Sequence, residues 1–299
     1  MIAFNADHCV RMCCEQTECA LVVFNEVEAI CYMKSNEAKE WGENFKTHDA
    51  AAGRDIYIID SRLGEPEPLE LEPTKCQNKR GLAYGFTDAK DLFTLRAGLS
   101  WWYNWSPGNL KEGLLEASLS QGSEYVPMIW SGEDLTQDRL EILDWVADSS
   151  HYLLGFNEPN YKYQSNLKAD EAATLWPQLL ILGTEHEMEL VSPAVNYCSG
   201  NCVEEDPFKW LDDFFAECTT LEDPKCGMEY LAIHTYACEV KYINKHIHRY
   251  LKYGLPIWLT EFACAFEAQE PNEAGQATLL SDATTYLEMH PDVFRYAWY

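Results

Sequence analysis

The chain has 299 residues, 47% of them hydrophobic, and a formal net charge of -27. That length suits one large domain, or a large and a small one, with a core that buries roughly 70–75% of the unfolded surface. The charge excludes a phosphate backbone as partner, because repulsion would replace counterion release, and no apolar run approaches the roughly 18 residues of a membrane span.

The first ten residues, MIAFNADHCV, carry neither a basic n-region nor an apolar stretch, so no signal peptide is read there. Twelve cysteines divide evenly along the chain. Cys9, Cys13, Cys14, Cys19, Cys31 and Cys76 precede Lys79; Cys198, Cys202, Cys218, Cys226, Cys238 and Cys264 follow it. An even number in each half points to disulfides within two modules, and to a secreted protein in an oxidising compartment. Adjacent Cys13 and Cys14, and the lack of a CxxC pair, argue against a zinc site. Spacing does not give the pairing. Cys198 with Cys202, and Cys218 with Cys226, are candidates for short loops.

Residues 1–60 form a segment too small for a generous core, so disulfides would staple it. Cys9 to Cys19 has helical spacing, 20–26 and 30–35 read as two strands about a turn, and 54–60 alternates like a closing strand. Residues 61–75, SRLGEPEPLELEPTK, combine three prolines with four glutamates and read as a solvated, extended linker.

From 76 to 299 apolar runs alternate with amphipathic ones. Strands are predicted at 80–86, 99–105, 124–130, 152–158, 190–195, 230–236, 256–262 and 294–299, with helices between them such as 171–186 and 206–218. Eight such alternations imply parallel strands and right-handed crossovers, for which a closed (β/α)8 TIM barrel is the economical solution. The expected fold is therefore α/β, a barrel preceded by a small disulfide-stapled module. No eighth helix follows the last strand within these residues.

Chemistry in such barrels gathers at the C-terminal strand ends. That rule selects Tyr84, Tyr103, Asn104, Trp105, Trp130, Asn157, Glu158, His234, Tyr236, Glu261 and Trp298. A glutamate after a strand is usually a solvated loop residue. Here Glu158 follows LLGFN and precedes Pro159, and Glu261 sits inside PIWLTEFA, apolar enough to be buried. A carboxylate there needs partners or a function. The remaining ends are rich in Trp and Tyr, whose faces stack on the C–H faces of sugar rings. Some of these rings belong to the core: Trp101 and Trp102 cannot point the same way, because strand side chains alternate.

Two carboxylates on the fourth and seventh strands can cleave a glycosidic bond, one protonating the leaving oxygen and the other attacking the anomeric carbon. Glu158 must then start protonated, so its pKa is expected to be raised by burial and by the charge of Glu261. Tyr236 is placed to hydrogen-bond Glu261, Asn157 to reach a sugar 2-hydroxyl, and His234 to hold a carboxylate or a sugar hydroxyl.

At these residues the chain resembles glycoside hydrolase clan A, in which the glutamate of an Asn-Glu-Pro on strand four is the acid/base and a strand-seven glutamate the nucleophile. The matching segments are Asn157-Glu158-Pro159 and Thr260-Glu261-Phe262. The ordered set KRGLAYGF, WWYNW, VPMIW, LLGFNEPN with QSN at 164–166, SPA, AIHTY and PIWLTEFA is similar to glycoside hydrolase family 128 over about 79–299. That resemblance implies retaining hydrolysis of β-1,3-glucan without a metal. It puts Trp102, Asn104, Trp130, Trp298 and the loop Gln164-Ser165-Asn166 along the glucan cleft. The family usually shows an acidic residue where this chain has Asn160, and the loop 196–206 looks locally disulfide-closed. Asn104-Trp105-Ser106 is a formal glycosylation sequon, expected to be unmodified if Asn104 lines the cleft. The first segment resembles an apple/PAN module, a type that binds carbohydrate or protein, and would add a second carbohydrate contact. Endo action is the leading expectation, with exo action, transglycosylation or glucan binding with little turnover as alternatives.

Overall fold

The computed structural model describes residues 79–95, 98–219, 223–265 and 272–299, and the backbone of three strands before them. The chain divides into two compact units, Met1–Gln77 and Asn78–Tyr299.

In the first unit, β1 (Cys19–Asn25), β2 (Ile30–Ser35) and β3 (Arg54–Ile58) coincide with the runs read as strands. They form an antiparallel sheet in the order β2-β1-β3, with Val22 opposite both Met33 and Tyr57. The helix read around Cys9–Cys19, the N-terminal cysteine pairing, the apple/PAN likeness and the linker 61–75 lie outside the described residues.

The second unit alternates strand and helix. Its strands are β4 (Arg80–Ala83), β5 (Trp101–Tyr103), β6 (Glu124–Tyr125), β7 (Tyr152–Leu154), β8 (Glu189–Val191), β9 (Leu231–Thr235), β10 (Ile257–Phe262) and β11 (Val293–Trp298). Between them run α1 (Ala89–Leu95), α2 (Leu114–Ser120), α3 (Gln137–Ala147), α4 (Ala169–Glu185), α5 (Pro207–Cys218), α6 (Val240–Tyr250) and α7 (Glu273–Met289). The strands β6-β5-β4-β11-β10-β9 form one sheet and β7-β8 a second, and every pairing is parallel. Single parallel bridges, Met128 with Leu154 and Val191 with Tyr230, connect the two sheets.

Local chemistry sets the boundaries. Asp206 caps α5 by accepting from Phe208 N at 3.0 Å, with Pro207 in the first turn, where its missing N–H costs nothing. Asn272 caps α7 by accepting from Gly275 N at 2.8 Å. Lys79 donates to the carbonyls of Leu287, Glu288 and His290 at the far end of α7, a cation placed where the helix dipole is negative.

Seven of the eight strands are shorter than the apolar runs; prolines 127, 159 and 193 interrupt the ladders after β6, β7 and β8. One strand face packs on the helices and the other on itself. The second face collects Ala83, Trp101, Tyr103, Met128, Leu154, Val191, Ala232, Trp258 and Ala297, so every strand region contributes. Gly81 is needed there, since a Cβ would lie 2.3 Å from the Trp101 indole. Near the strand starts this face holds a buried charge pair: Arg295 Nη1 is 2.7 Å from Glu124 Oε2, and its guanidinium lies 4.6 Å from the ring centre of Tyr152.

Candidate active site

Glu158 follows β7 and Glu261 lies within β10; both side chains are buried. Glu158 has φ 40°, an uncommon conformation for a residue with a Cβ, held where its N–H donates to Ala194 O at 2.8 Å. Backbone strain of this kind is retained where the surroundings over-determine it, as at functional residues. Trp105, after β5, is also left-handed at φ 57°.

Donors surround Glu261. Trp105 Nε1 donates to Oε1 at 2.8 Å, and Tyr236 donates its hydroxyl to Oε2. Tyr103 Oη is 3.2 Å from Oε1 and 3.1 Å from Thr260 O, and its single proton serves one of them at a time. Burial, and then the Glu261 charge, push the phenols of Tyr103 and Tyr236 far above the ordinary value, so both remain donors.

His234 joins the two carboxylates. Its Nδ1 is 2.9 Å from Glu158 Oε1 and 3.5 Å from Glu261 Oε2, and its ring is wholly buried. Burial lowers its basicity, but the charges of Glu261 and Glu158 and the hydrogen bond to Glu158 outweigh that and raise it above the ordinary value. Glu158 moves the other way. Burial acts to raise its pKa, as expected, yet the His234 hydrogen bond and charge and the Asn196 amide, 3.1 Å from Oε1, hold it below the ordinary value. The expectation of a raised Glu158 pKa is therefore corrected for the free site, where His234 and Asn196 outweigh burial. Neighbouring His246 donates Nε2–H to His234 O at 2.9 Å, and burial lowers its own pKa to about 4, which keeps that ring neutral.

One atom each of Glu158, His234 and Glu261 lie within 4.8 Å of one another.

Asn157 Nδ2 donates to Gln164 Oε1 at 3.2 Å, while its buried Oδ1 has no partner. Ser165 Oγ donates to Asn157 O at 2.8 Å, so Gln164 and Ser165 turn back to brace Asn157, and only Asn166 of that loop is exposed. Trp130 is half-buried beside them.

Three sequence expectations are corrected by side-chain direction. Trp102 has no exposed surface: it faces the helices, donating to Ser118 Oγ at 2.8 Å. Asn104 Oδ1 already accepts from Tyr125 Oη at 2.7 Å and Ser106 Oγ at 2.8 Å, and its Nδ2 donates to Asn109 O at 3.2 Å. Its amide ties the loop together. Trp298 packs edge-on against Phe262 on the helix face, ring centres 5.0 Å apart. The next residue, Tyr299, faces the site instead, 57% exposed, at 5.7 Å from Trp105 and 5.6 Å from Tyr236.

Sequence reasoning passed over Asn196, a loop residue after β8 with no strand pattern to mark it. It also missed the disulfide Cys238–Cys264, which joins the chain two residues beyond Tyr236 to the chain three residues beyond Glu261. Cys198–Cys202 and Cys218–Cys226 close as short loops, making three disulfides among the described residues.

Comparison with known proteins agrees with this geometry. A family model described as glycosyl hydrolase catalytic core matches residues 81–299. The chain is 40% identical to an endo-β-1,3-glucanase of GH128 subgroup II from Sorangium cellulosum, with a TM-score of 0.65 over 74% of this chain and 87% of that one. It is 25% identical to a curdlan-specific exo-β-1,3-glucanase of subgroup III from Blastomyces gilchristii, with a TM-score of 0.59 over 75% of this chain and 90% of that one. It is also 29% identical over 235 residues to alkali-sensitive linkage protein 1 of Schizosaccharomyces pombe; that match covers 76% of this chain and 39% of the longer relative. On these matches and this site, the chain belongs to the glycosyl hydrolase catalytic-core family, among the GH128 β-1,3-glucanases.

Proposed function

We propose that the chain is a secreted, endo-acting, retaining β-1,3-glucan hydrolase, built on a closed (β/α)8 barrel, with Glu261 as nucleophile and Glu158 as acid/base. The observation that carries the reading is the proximity of the two carboxylates, with an oxygen of each within 4.8 Å of the other. Retaining enzymes hold their carboxyl groups about 5–5.5 Å apart, whereas inverting ones leave about 6.5–9.5 Å for a water.

In this reading Glu261 Oε attacks the anomeric carbon while Glu158 delivers a proton to the departing glycosidic oxygen, giving a glycosyl ester and a free hydroxyl. The His234–Glu158 hydrogen bond is the path by which the histidine hands a proton to Glu158 Oε1. A water, deprotonated by Glu158, then releases the sugar and regenerates both groups. Tyr236, Trp105 and Tyr103 hold Glu261 oriented. The unpartnered Asn157 Oδ1 accepts from the sugar 2-hydroxyl. Trp130, Trp105 and Tyr299 offer the aromatic faces. Three disulfides suit an oxidising compartment. The N-terminal module is proposed to add a carbohydrate contact.

The test is release of reducing ends from laminarin, with loss of turnover but retained binding in Glu261→Gln. Binding by the wild type with no product would replace hydrolysis by glucan capture as the function.

A further inference from the structure

Asn160 is completely buried, and the roles above do not use it. It directs five hydrogen bonds at one loop. Its Nδ2 donates to Asn196 O at 2.6 Å and Glu204 O at 3.2 Å. Its Oδ1 accepts from Asn196 N at 3.4 Å, and its own carbonyl accepts from Val203 N at 2.8 Å and Glu204 N at 3.3 Å. Asn196 is thereby held through both of its backbone polar groups.

The Asn196 side chain is oriented as well. Tyr197 N donates to its Oδ1 at 2.8 Å, which fixes the amide so that Nδ2 faces Glu158 Oε1 at 3.1 Å. The rest of the loop is fastened around this contact. Cys198 and Cys202 are disulfide-bonded, Lys162 N donates to Asn201 O at 2.9 Å, and Tyr161 donates its hydroxyl to Tyr197 O. Only an amide serves at position 160, because it must donate to two carbonyls and accept from one N–H. A carboxylate there would set oxygen against oxygen in a buried site.

We propose that Asn160 is a positioning residue for catalysis: by gripping the backbone of Asn196 it keeps the Asn196 amide on Oε1 of Glu158. The chain residue two beyond Glu158 thus governs that carboxyl group through a loop 36 positions away. The oxygen concerned is shared with His234 Nδ1, so the amide competes with the proton's route to Glu158 and sets how readily the group takes it up. A donor to Oε1 favours the ionised form. Other titratable groups act on Glu158 as well: His234, Glu261, Tyr236, Tyr103 and Tyr161. His234, Glu261, Tyr236 and Tyr103 sit on or beside β5, β9 and β10, away from the loop that Asn160 grips, whereas Tyr161 is fastened to that loop through Tyr197 O.

The proposal rests on the hydrolase reading for its catalytic consequence, but its test does not need turnover. Glu158 is titrated by carbon NMR in protein labelled at the glutamate carboxyls, its resonance assigned by its loss in Glu158→Gln. In Asn160→Ala the midpoint should move to higher pH, in the same direction and by the same amount as in Asn196→Ala, and the double variant should move no further. In the active protein the alkaline limb of kcat/KM should follow it upward, with kcat/KM reduced roughly tenfold. If Asn160→Ala does not fold, Asn160→Ser keeps one donor and should give a smaller shift of the same sign. A folded Asn160 variant with an unmoved Glu158 midpoint, or additive shifts in the double variant, would overturn the proposal, since a purely structural role lowers Tm without touching the titration. Wild-type protein that fails to cut laminarin would defeat the hydrolase reading while leaving this titration readable.

Discussion

His234 Nδ1 lies 2.9 Å from Glu158 Oε1, and this contact couples the titration of the two groups. With the charge of Glu261 it raises the pKa of the histidine against burial, and it lowers that of the glutamate. A lowered carboxyl contributes stability above its unfolded value of about 4.5, lost as pH falls through the folded pKa; a raised imidazole contributes below about 6.5, lost as pH rises through the folded pKa. The pair therefore stabilises most between those two values. Replacing His234 with Asn should lower Tm most in that window and little above or below it. Equal losses across the pH range, followed by thermal melts, would remove this coupling.

The same substitution should slow turnover, because Glu158 loses the histidine that hands it a proton, and the alkaline limb should then follow Glu158 alone. Burial, no longer opposed by the histidine, then raises the Glu158 pKa. A pH–rate profile of kcat/KM reads this directly.

Tyr236→Phe removes the hydroxyl that donates to Glu261 Oε2 while keeping the ring. A hydrogen bond to a charged, buried group is worth about 1.5–3 kcal/mol, so kcat/KM should fall about 10–100-fold with Tm nearly unchanged. Steady-state kinetics on laminari-oligosaccharides measure it.

Neighbouring strand-end aromatics should separate by role. Tyr299→Ala should raise KM and leave stability alone, since that ring is exposed beside Trp105 and Tyr236. Trp102→Ala should cost about 3–5 kcal/mol of stability through the cavity it opens. Trp298→Ala should behave like Trp102→Ala, more weakly. Denaturant melts beside Michaelis kinetics distinguish these patterns.

The Cys238–Cys264 disulfide closes the loops that carry Tyr236 and Glu261, and Ala265 N donates across it to Tyr236 O at 3.2 Å. Cys264→Ser should cost about 2–4 kcal/mol of stability and lower kcat more than it raises KM. An unchanged kcat would mean that the strands alone hold this pair.

Much of this was legible in the residues. Glu158 and Glu261 stand out because a carboxylate inside an apolar run demands partners, and the runs themselves mark where all eight strands lie. The helix read at 171–186 is α4 at Ala169–Glu185, its start fixed by Glu171 Oε2 accepting from Lys168 N at 2.9 Å. What sequence does not carry is parity and long-range pairing. β5 is three residues long, so nothing in WWYNW says which tryptophan faces the helices. Register shifts where β10 pairs with β11 likewise leave unpredictable which of Trp298 and Tyr299 faces the site. The tie between Asn104 and Tyr125 is invisible in sequence because the two meet only once β5 lies beside β6. Asn160 and Asn196 meet only after a loop has folded back across 36 residues.

The central claim is that Glu261 attacks the sugar and Glu158 supplies the proton, which forces two inversions. Proton NMR of the first product formed from linear β-1,3-glucan, recorded before mutarotation, tests it most directly. The account predicts that the β-anomer appears first; early accumulation of the α-anomer would contradict it.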